Sequence, residues 1–154
     1  MGRIEERLRI LGLTLPHPAA PIANYLPFVV TGSLVVISGQ ISLKDGRLAF
    51  QGKVSAEVST DDGRAAAALC FLNLLAQLRT ACDGDLDRVR RVVRLGGFIA
   101  APADFTQHAQ VMNGASDLAV EVFGAAGRHA RTTIGVPALP GDAPVEVEGM
   151  FELG

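Results

Sequence analysis

Three consecutive stretches decide the fold: His129-Ala-Arg-Thr-Thr-Ile-Gly-Val136, the loop Pro137-Ala-Leu-Pro-Gly-Asp-Ala-Pro144, and Val145-Glu-Val-Glu148. The first and the last are rich in β-branched residues and flank a segment of Pro, Gly and Asp, which predicts two strands joined as a hairpin. The loop is too long for a two-residue turn, and its prolines cannot donate hydrogen bonds to a strand ladder. We therefore expect a hairpin with a wide connection.

The predicted hairpin brings together side chains that could bind a small acid. Side chains alternate along a strand, so Arg131 and Thr133 share one face, and Glu146 and Glu148 share a face of the other strand. With pairing symmetric about the loop, Thr133 lies opposite Glu146 and Arg131 lies opposite Glu148. A guanidinium, a hydroxyl and two carboxylates would then converge on a patch able to hold a small carboxylic acid and a water.

The composition is that of one domain with a surplus of apolar residues. The chain has 154 residues, of which 49% are hydrophobic and 19% are charged, and its mean hydropathy is +0.30. We predict a single domain over residues 1–154, in which residues 1–15 form a short N-terminal helical extension. Part of the apolar surplus is expected to be buried between subunits.

Charge and cysteine content exclude several classes of partner. The formal net charge of −2 creates no general attraction to nucleic acid or to an anionic membrane. Cys70 and Cys82 are too few for a disulfide framework and lack the spacing of a metal site. The charged N-terminus has no apolar signal region, and the apolar run 65–78 is shorter than a membrane span. We therefore expect a cytoplasmic protein with no metal.

The remaining patterns predict strands and helices in a defined order. They are a helix over 3–11, strands over 28–31 and 34–41 with a bulge at Gly39, a short strand over 47–50, a helix over 59–81, a strand over 86–99, a helix capped by Asp104 that includes Phe105 and ends at Gly124, and the C-terminal hairpin. This order predicts an α+β fold with two helices packed on one face of a sheet. The strands are apolar enough that the other face should be covered by further subunits.

Several of these segments, in this order, resemble the RidA family of reactive enamine/imine deaminases, also described as endoribonuclease L-PSP-like proteins. The match extends from Pro21 to Phe151. The segments that establish it are Ser38-Gly39-Gln40, the alanine-rich helix, Gly97-Phe98, Ala130-Arg131-Thr132, and Leu139-Pro140 followed by 145–148.

The resemblance implies a chorismate-mutase-like mixed sheet, a homotrimer with clefts between subunits, and hydrolysis of 2-aminoacrylate-type acids to 2-keto acids and ammonia without a cofactor. Arg131 matches the arginine that grips the substrate carboxylate. Glu146 matches the glutamate that positions the attacking water, and Tyr25 matches an aromatic residue that lines the cleft. Asn113 lies in a helix similar to the second helix of the family and is assigned to substrate binding.

The chain departs from the common family pattern at the site. Common members have a serine and a cysteine after the arginine, whereas this chain has Thr132 and Thr133. The Thr133 hydroxyl can still orient water or a substrate nitrogen, so Thr133 is grouped with Glu146 as a catalytic candidate. These departures are typical of a divergent subgroup.

Other interpretations of the same residues stay open. Arg131 could instead form a structural salt bridge with Glu148, and Glu148 could replace Glu146 in handling water. The clefts could bind a small carboxylate without turnover, because the family thiol is missing. An endoribonuclease is less favoured, because the chain lacks a basic surplus, has few aromatic residues and has no histidine pair placed for RNA cleavage.

The three histidines are not assigned to the site, because their spacing supplies no converging ligands for a metal. We expect His17 to be solvated and His108 to lie on a helix face. We expect His129 to point to the opposite side of the strand from Arg131.

Overall fold

The computed structural model describes residues 1–21 and 23–154. These residues contain three helices and seven strands. The helices are α1 (Arg3–Ile10), α2 (Thr60–Ala81) and α3 (His108–Phe123). The strands are β1 (Phe28–Thr31), β2 (Leu34–Ile41), β3 (Leu43–Lys44), β4 (Arg47–Leu48), β5 (Val89–Ala100), β6 (Ala130–Val136) and β7 (Val145–Leu153). Short 3-10 turns at Leu86–Arg88, Gly124–Gly127 and Pro140–Asp142 precede β5, β6 and β7.

Five strands form one mixed sheet in the order β1-β2-β7-β5-β6. All neighbours are antiparallel except β5 and β6, which are parallel. The short strands β3 and β4 form a separate ribbon. The predicted α+β fold with a mixed sheet is therefore confirmed.

The predicted C-terminal hairpin is wrong, because β5 lies between β6 and β7. Leu95 is paired with Arg131 on one side and with Gly149 on the other. β5 is 12 residues long and largely apolar. The backbone groups on both of its edges form hydrogen bonds, because it pairs with one strand on each side. The eight-residue loop 137–144 passes the end of β5, where Ala100 donates its backbone N–H to the Pro144 carbonyl at 2.9 Å.

The N-terminal hairpin and its bulge are confirmed. β1 pairs with β2 across the turn at Gly32, as the sequence predicts. The register between β2 and β7 shifts between Ile37 and Gln40, which places a bulge at Gly39. The bulge matters for the site because Gly39 lies against the side chain of Glu146 on β7.

Helices α2 and α3 cover one face of the sheet. α2 contacts β2 and β7, and α3 contacts β5 and β6. The Ser59 side chain caps α2 by accepting from the backbone N–H of Asp62 at 3.1 Å, as its sequence predicts. None of the helices in residues 1–21 and 23–154 is long and apolar enough to cross a bilayer.

The predicted starts of β5 and α3 are each a few residues too early. Residues 86–88 form a 3-10 turn before β5 begins at Val89. Asp104 and Phe105 lie in a loop before α3, where Phe105 donates its N–H to the Pro102 carbonyl at 3.0 Å. The Phe105 ring packs edge-on against His108 at a centroid distance of 5.0 Å. Phe105 therefore contacts the first residue of α3 from the loop and not from within the helix.

The predicted N-terminal helix lies on the domain as α1. Its apolar residues Ile4 and Leu8 are buried in the core. Asp87 accepts hydrogen bonds from the backbone N–H groups of Arg3 and Ile4, both at 2.8 Å. A carboxylate from another part of the chain thereby supplies the cap that Gly2 cannot.

The sheet face away from the helices keeps apolar side chains in the open. Val29 and Ile134 are each 48% exposed, and Val36 is 40% exposed. They lie on β1, β6 and β2, on the same face as the half-buried Phe98 and Met150. An apolar strip of this kind is typical of a surface covered by another protein chain.

Candidate active site

Arg131 lies on the edge strand β6 and points toward α3. Its Nη1 donates to Asn113 Oδ1 at 2.9 Å and to Ser116 Oγ at 3.0 Å. Asn113 and Ser116 are three residues apart on α3 and so share one helix face. Both Nη1 hydrogens are therefore used. The edge formed by Nε and Nη2 has no acceptor among the residues that the structure describes, and this edge is the fork that binds a carboxylate bidentately.

Thr133 lies two residues beyond Arg131 on the same face of β6. Its Oγ1 is buried and has no hydrogen-bond partner in the described chain. The neighbouring position on β5 is Gly97, where an added Cβ would collide with the sulfur of Met112. The glycine lets α3 approach the sheet closely beside Thr133. A buried hydroxyl with an unused hydrogen bond is a natural contact for a ligand or a water.

Glu148 does not pair with Arg131. Its Oε2 lies 3.3 Å from Nη1 of Arg94, and both side chains are on the sheet face away from the helices. The salt bridge between Arg131 and Glu148 that the sequence left open is therefore absent. The charge of Arg131 is not neutralised by any carboxylate in the described residues.

Glu146 lies in a pocket at another part of the sheet. The pocket is lined by polar and small residues and by apolar ones, which are Tyr25, Gly39, Gln40, Ile41, Pro140 and Glu146 together with Ala19, Ala20, Pro21, Pro27 and Leu43. An added Cβ on Gly39 would lie 2.9 Å from Cδ of Glu146, so the bulge leaves room for the carboxylate only because residue 39 is glycine. The Tyr25 side chain is 47% exposed at the mouth of the pocket.

Burial raises the pKa of the Glu146 carboxyl above its ordinary range, and the negative charge of Glu148 raises the pKa further. Both effects disfavour the charged form of Glu146. A carboxylate with a raised pKa is a better proton acceptor than an ordinary one when it is ionised.

The clusters around Arg131 and Glu146 do not meet within one chain. β5 separates β6 from β7, a distance of roughly 10 Å for two strand spacings. Arg131 also points to the helix side of the sheet, whereas Glu146 points to the other side. The convergence predicted from the hairpin is therefore wrong, because that prediction assumed direct pairing of the two strands.

Comparisons with known proteins identify the family. The profile of the family described as "YjgF/chorismate mutase-like, putative endoribonuclease" matches residues 5–152. The chain belongs to this family. The resemblance to RidA proteins is thereby confirmed at the level of the family.

Known relatives of this YjgF/chorismate mutase-like protein match it over nearly its full length. Protein TCP17 of Trypanosoma cruzi is 43% identical over 153 residues, which are 99% of this chain and 95% of TCP17. Atu1372 of Agrobacterium tumefaciens, a protein of unknown function, is 42% identical with a TM-score of 0.92, covering 98% of this chain and 92% of its own. TdcF of E. coli, solved with bound serine, shares the fold at 24% identity and a TM-score of 0.65, covering 92% and 96%.

The sequence predicts the position of neither of two residues that lie beside Arg131 in this YjgF-like chain, Ser116 and His129. Ser116 was not singled out, although its spacing of three from Asn113 could have placed it on the same helix face. His129 was assigned to the wrong side of the strand. Its Nε2 lies 2.9 Å from Ser116 Oγ, on the same side as Arg131, because residues two apart in an extended chain share a face.

The other titratable side chains do not assemble into a second site. No group of three His, Cys, Asp or Glu side chains is placed to hold a metal ion within residues 1–21 and 23–154. His17 is exposed, as predicted, and His108 packs on Phe105 and Gly135. Cys70 and Cys82 are buried and unpaired.

Proposed function

We propose that this protein is a cofactor-free hydrolytic deaminase of small 2-enamine and 2-imine acids of the 2-aminoacrylate type. The proposal rests on the Arg131 guanidinium, which is half-buried, anchored by the neutral side chains Asn113 and Ser116, and free of any carboxylate partner in the described chain. A cation held in this way is prepared to bind a small carboxylate. TdcF, a protein of the same fold, was solved with serine, a small acid of similar size.

The active unit in this proposal is a homotrimer with its sites between subunits. Arg131, Asn113 and Thr133 come from the edge strand β6 and from α3 of one protomer. Glu146 and Tyr25 come from the pocket of the next protomer. Their separation within one chain supports this arrangement, because a ring of subunits joins two different surfaces of the same chain. The exposed apolar strip on the sheet supports association as well.

The proposed reaction needs only a correctly oriented substrate and water, and one general base. The enamine first tautomerises to the 2-imine acid, whose carboxylate binds the free edge of Arg131. Glu146 accepts a proton from water as the water oxygen bonds to C2 and the C=N electron pair takes up a proton at nitrogen. Glu146 returns the proton it accepted to the nitrogen of the resulting carbinolamine, and the C–N bond breaks to release ammonia. The hydroxyl oxygen at C2 loses its proton to solvent as it forms the C=O bond of the 2-keto acid, which balances the proton first taken up at nitrogen. Thr133 Oγ1 is placed to hold the water or the substrate nitrogen.

The proposal is tested with Arg131→Ala. Mixed with an amino-acid oxidase that generates an imine, the wild-type protein should accelerate the decay of the imine signal. Arg131→Ala should reduce kcat/KM at least about tenfold, because it removes a charge-assisted bidentate contact. Arg91→Ala, which changes an exposed arginine on β5, is the matched control and should retain wild-type rates.

Two results would contradict the deaminase. Equal acceleration by wild type and Arg131→Ala would show that the guanidinium is not part of the site. No acceleration by wild type, together with tight binding of pyruvate that Arg131→Ala abolishes, would favour the second candidate, a carboxylate-binding trimer without turnover. The missing family thiol at Thr133 keeps that candidate open.

An endoribonuclease fits the geometry less well. His108 packs at Gly135 and His129 lies before the start of β6, so about 20 Å of strand separates the two histidines. With a net charge of −2, this arrangement provides neither a histidine pair nor a basic surface for RNA. We also infer a cytoplasmic location, which the two unpaired cysteines support.

A further inference from the structure

A chain of hydrogen bonds extends behind Arg131, away from the edge that would bind substrate. Arg131 Nη1 lies 3.0 Å from Ser116 Oγ, and Ser116 Oγ lies 2.9 Å from His129 Nε2. On the other side of the imidazole ring, His129 Nδ1 lies 2.6 Å from the Gly127 carbonyl oxygen. Four residues thus form one linear network with Arg131 at its end.

The groups at the two ends of the network, the Gly127 carbonyl and the Arg131 guanidinium, determine which atom donates in each hydrogen bond. The Gly127 carbonyl can only accept, so the proton of the neutral His129 ring is on Nδ1. Nε2 is then an acceptor and takes the hydroxyl proton of Ser116. The lone pairs of Ser116 Oγ are left to accept from Arg131, which can only donate. With a neutral His129, each of the three hydrogen bonds in the network has one donor and one acceptor.

The frame that holds the network is rigid. Gly127 belongs to the 3-10 turn packed on α3, where an added Cβ would collide with the Ala119 carbonyl oxygen. The Gly127 carbonyl is therefore fixed relative to the helix that also holds Ser116 and Asn113. The nearest acid on that helix, Asp117, is exposed and pairs with Arg64 at 3.6 Å, so it does not compete for Arg131.

We propose that His129 is a positioning residue that acts through Ser116 to hold the Arg131 guanidinium with its free edge toward the substrate carboxylate. This inference rests on the proposed function, in which Arg131 binds that carboxylate. A helical serine hydroxyl has a competing acceptor in the carbonyl one turn earlier. His129 provides the acceptor that keeps the hydroxyl beside Arg131. Without it, the hydroxyl turns toward that carbonyl, and among the described residues Asn113 alone is left to anchor Arg131, so the guanidinium can rotate.

The experiment compares two disruptive variants with two conservative ones. His129→Phe removes the acceptor, and Ser116→Ala removes the hydroxyl. His129→Gln keeps a carbonyl oxygen near the position of Nε2, and Ser116→Thr keeps the hydroxyl. His17→Phe, which changes an exposed histidine elsewhere, is the unrelated control. Thermal unfolding confirms that each variant is folded.

Three measurements separate positioning from simple stability. The Kd for pyruvate and the KM for the imine should rise about three- to tenfold in His129→Phe and Ser116→Ala, the effect of one hydrogen bond to a charged group, while kcat changes less than KM. The conservative variants should recover most of the affinity. In an Arg131→Ala background, His129→Phe should have no further effect on pyruvate binding, because the two residues act as a unit.

Rotation of the Arg131 guanidinium, followed by NMR, tests the network independently of activity. Rotation should be slow in wild type and faster in His129→Phe. Unchanged rotation, Kd and KM in a folded His129→Phe variant would overturn the positioning role. If wild type neither hydrolyses the imine nor binds pyruvate, the proposed function fails and the role toward substrate fails with it, whereas slow rotation would still support the hydrogen-bond network itself.

Discussion

At the scale of single residues, the Glu146 carboxyl is subject to two opposing requirements. The proposed mechanism requires Glu146 to be ionised, yet burial and the charge of Glu148 both raise its pKa. The rate should therefore fall as the pH drops through the raised pKa of Glu146, because the protonated acid cannot accept a proton from water. Glu148 is itself bound to Arg94, so its charge is fixed close to the site.

We expect Glu148→Gln to move the acidic limb of the kcat/KM profile to lower pH. The substitution removes the negative charge that helps to raise the pKa of Glu146, and it leaves a positive Arg94 nearby. Both changes favour the ionised form of Glu146. The measurement is the pH dependence of imine hydrolysis for wild type and variant.

Glu152→Gln is the matched control, because Glu152 lies on the same strand and face as Glu148 but farther from Glu146. Its profile should follow that of wild type. Loss of activity at every pH in Glu148→Gln, with Glu146→Gln still active, would instead make Glu148 the residue that handles water.

At the scale of elements, α1 depends on a cap supplied by a distant part of the chain. Its N-cap residue, Gly2, provides no side-chain bond, and Asp87 accepts from the first two N–H groups instead. These backbone hydrogen bonds lower the pKa of Asp87. The contribution of Asp87 to the free energy of unfolding is therefore fully present above the ordinary carboxyl pKa of about 4 and is lost as the pH falls through the lowered value.

We expect Asp87→Ala to lower the free energy of unfolding at neutral pH by about 1 kcal/mol, as for other lost N-caps. Urea denaturation with an unchanged m-value would measure this difference. The difference should shrink in acid, where wild type also loses the charge. Asp104→Ala, an exposed acid in the loop before α3, is the control and should change stability by less than about 0.5 kcal/mol. Equal losses in the two variants would argue against the cap.

At the scale of the whole molecule, the proposed deaminase activity requires an oligomer, because Arg131 and Glu146 are separated within one chain. A chain of 16.1 kDa should form a particle of about 48 kDa as a trimer. Ile134 and Val36 lie on the exposed apolar face, where an introduced charge would oppose burial against another subunit. A charge introduced at Ile134 or Val36 should therefore dissociate the trimer and reduce its activity together.

Subunit mixing tests the shared site directly. Arg131→Ala and Glu146→Gln should each retain at most about a tenth of wild-type activity when assayed alone. When the two variants are unfolded, mixed in equal amounts and refolded together, about a quarter of the sites should combine an intact Arg131 with an intact Glu146 from the neighbouring subunit. Activity should return to roughly that fraction of wild type. A mixture as inactive as its parents would place both residues of each site in one chain and contradict the shared cleft.

Local features of this fold could be predicted from the sequence. The Ser59 cap and the apolar run after it define α2, and the turn at Gly32 joins β1 to β2. The bulge at Gly39 was predicted from a glycine inside a strand pattern. For the cap and the turn, the decisive interactions join residues close together in the chain, so the residues themselves determine the element. The bulge lies in the pairing of β2 with the distant β7, but the glycine inside the strand pattern marks its position locally.

The arrangement of the site was decided by contacts between distant parts of the chain. A pattern of β-branched residues predicts a strand but not its partner, and the pairing of β5 with both β6 and β7 is long-range. That pairing determined that Arg131 and Glu146 lie on different faces, and that Ser116 and His129 join Arg131. The sequence alone determined the elements and the family resemblance. Only the tertiary structure decided which side chains meet, because strand order and helix packing depend on the burial of the whole core.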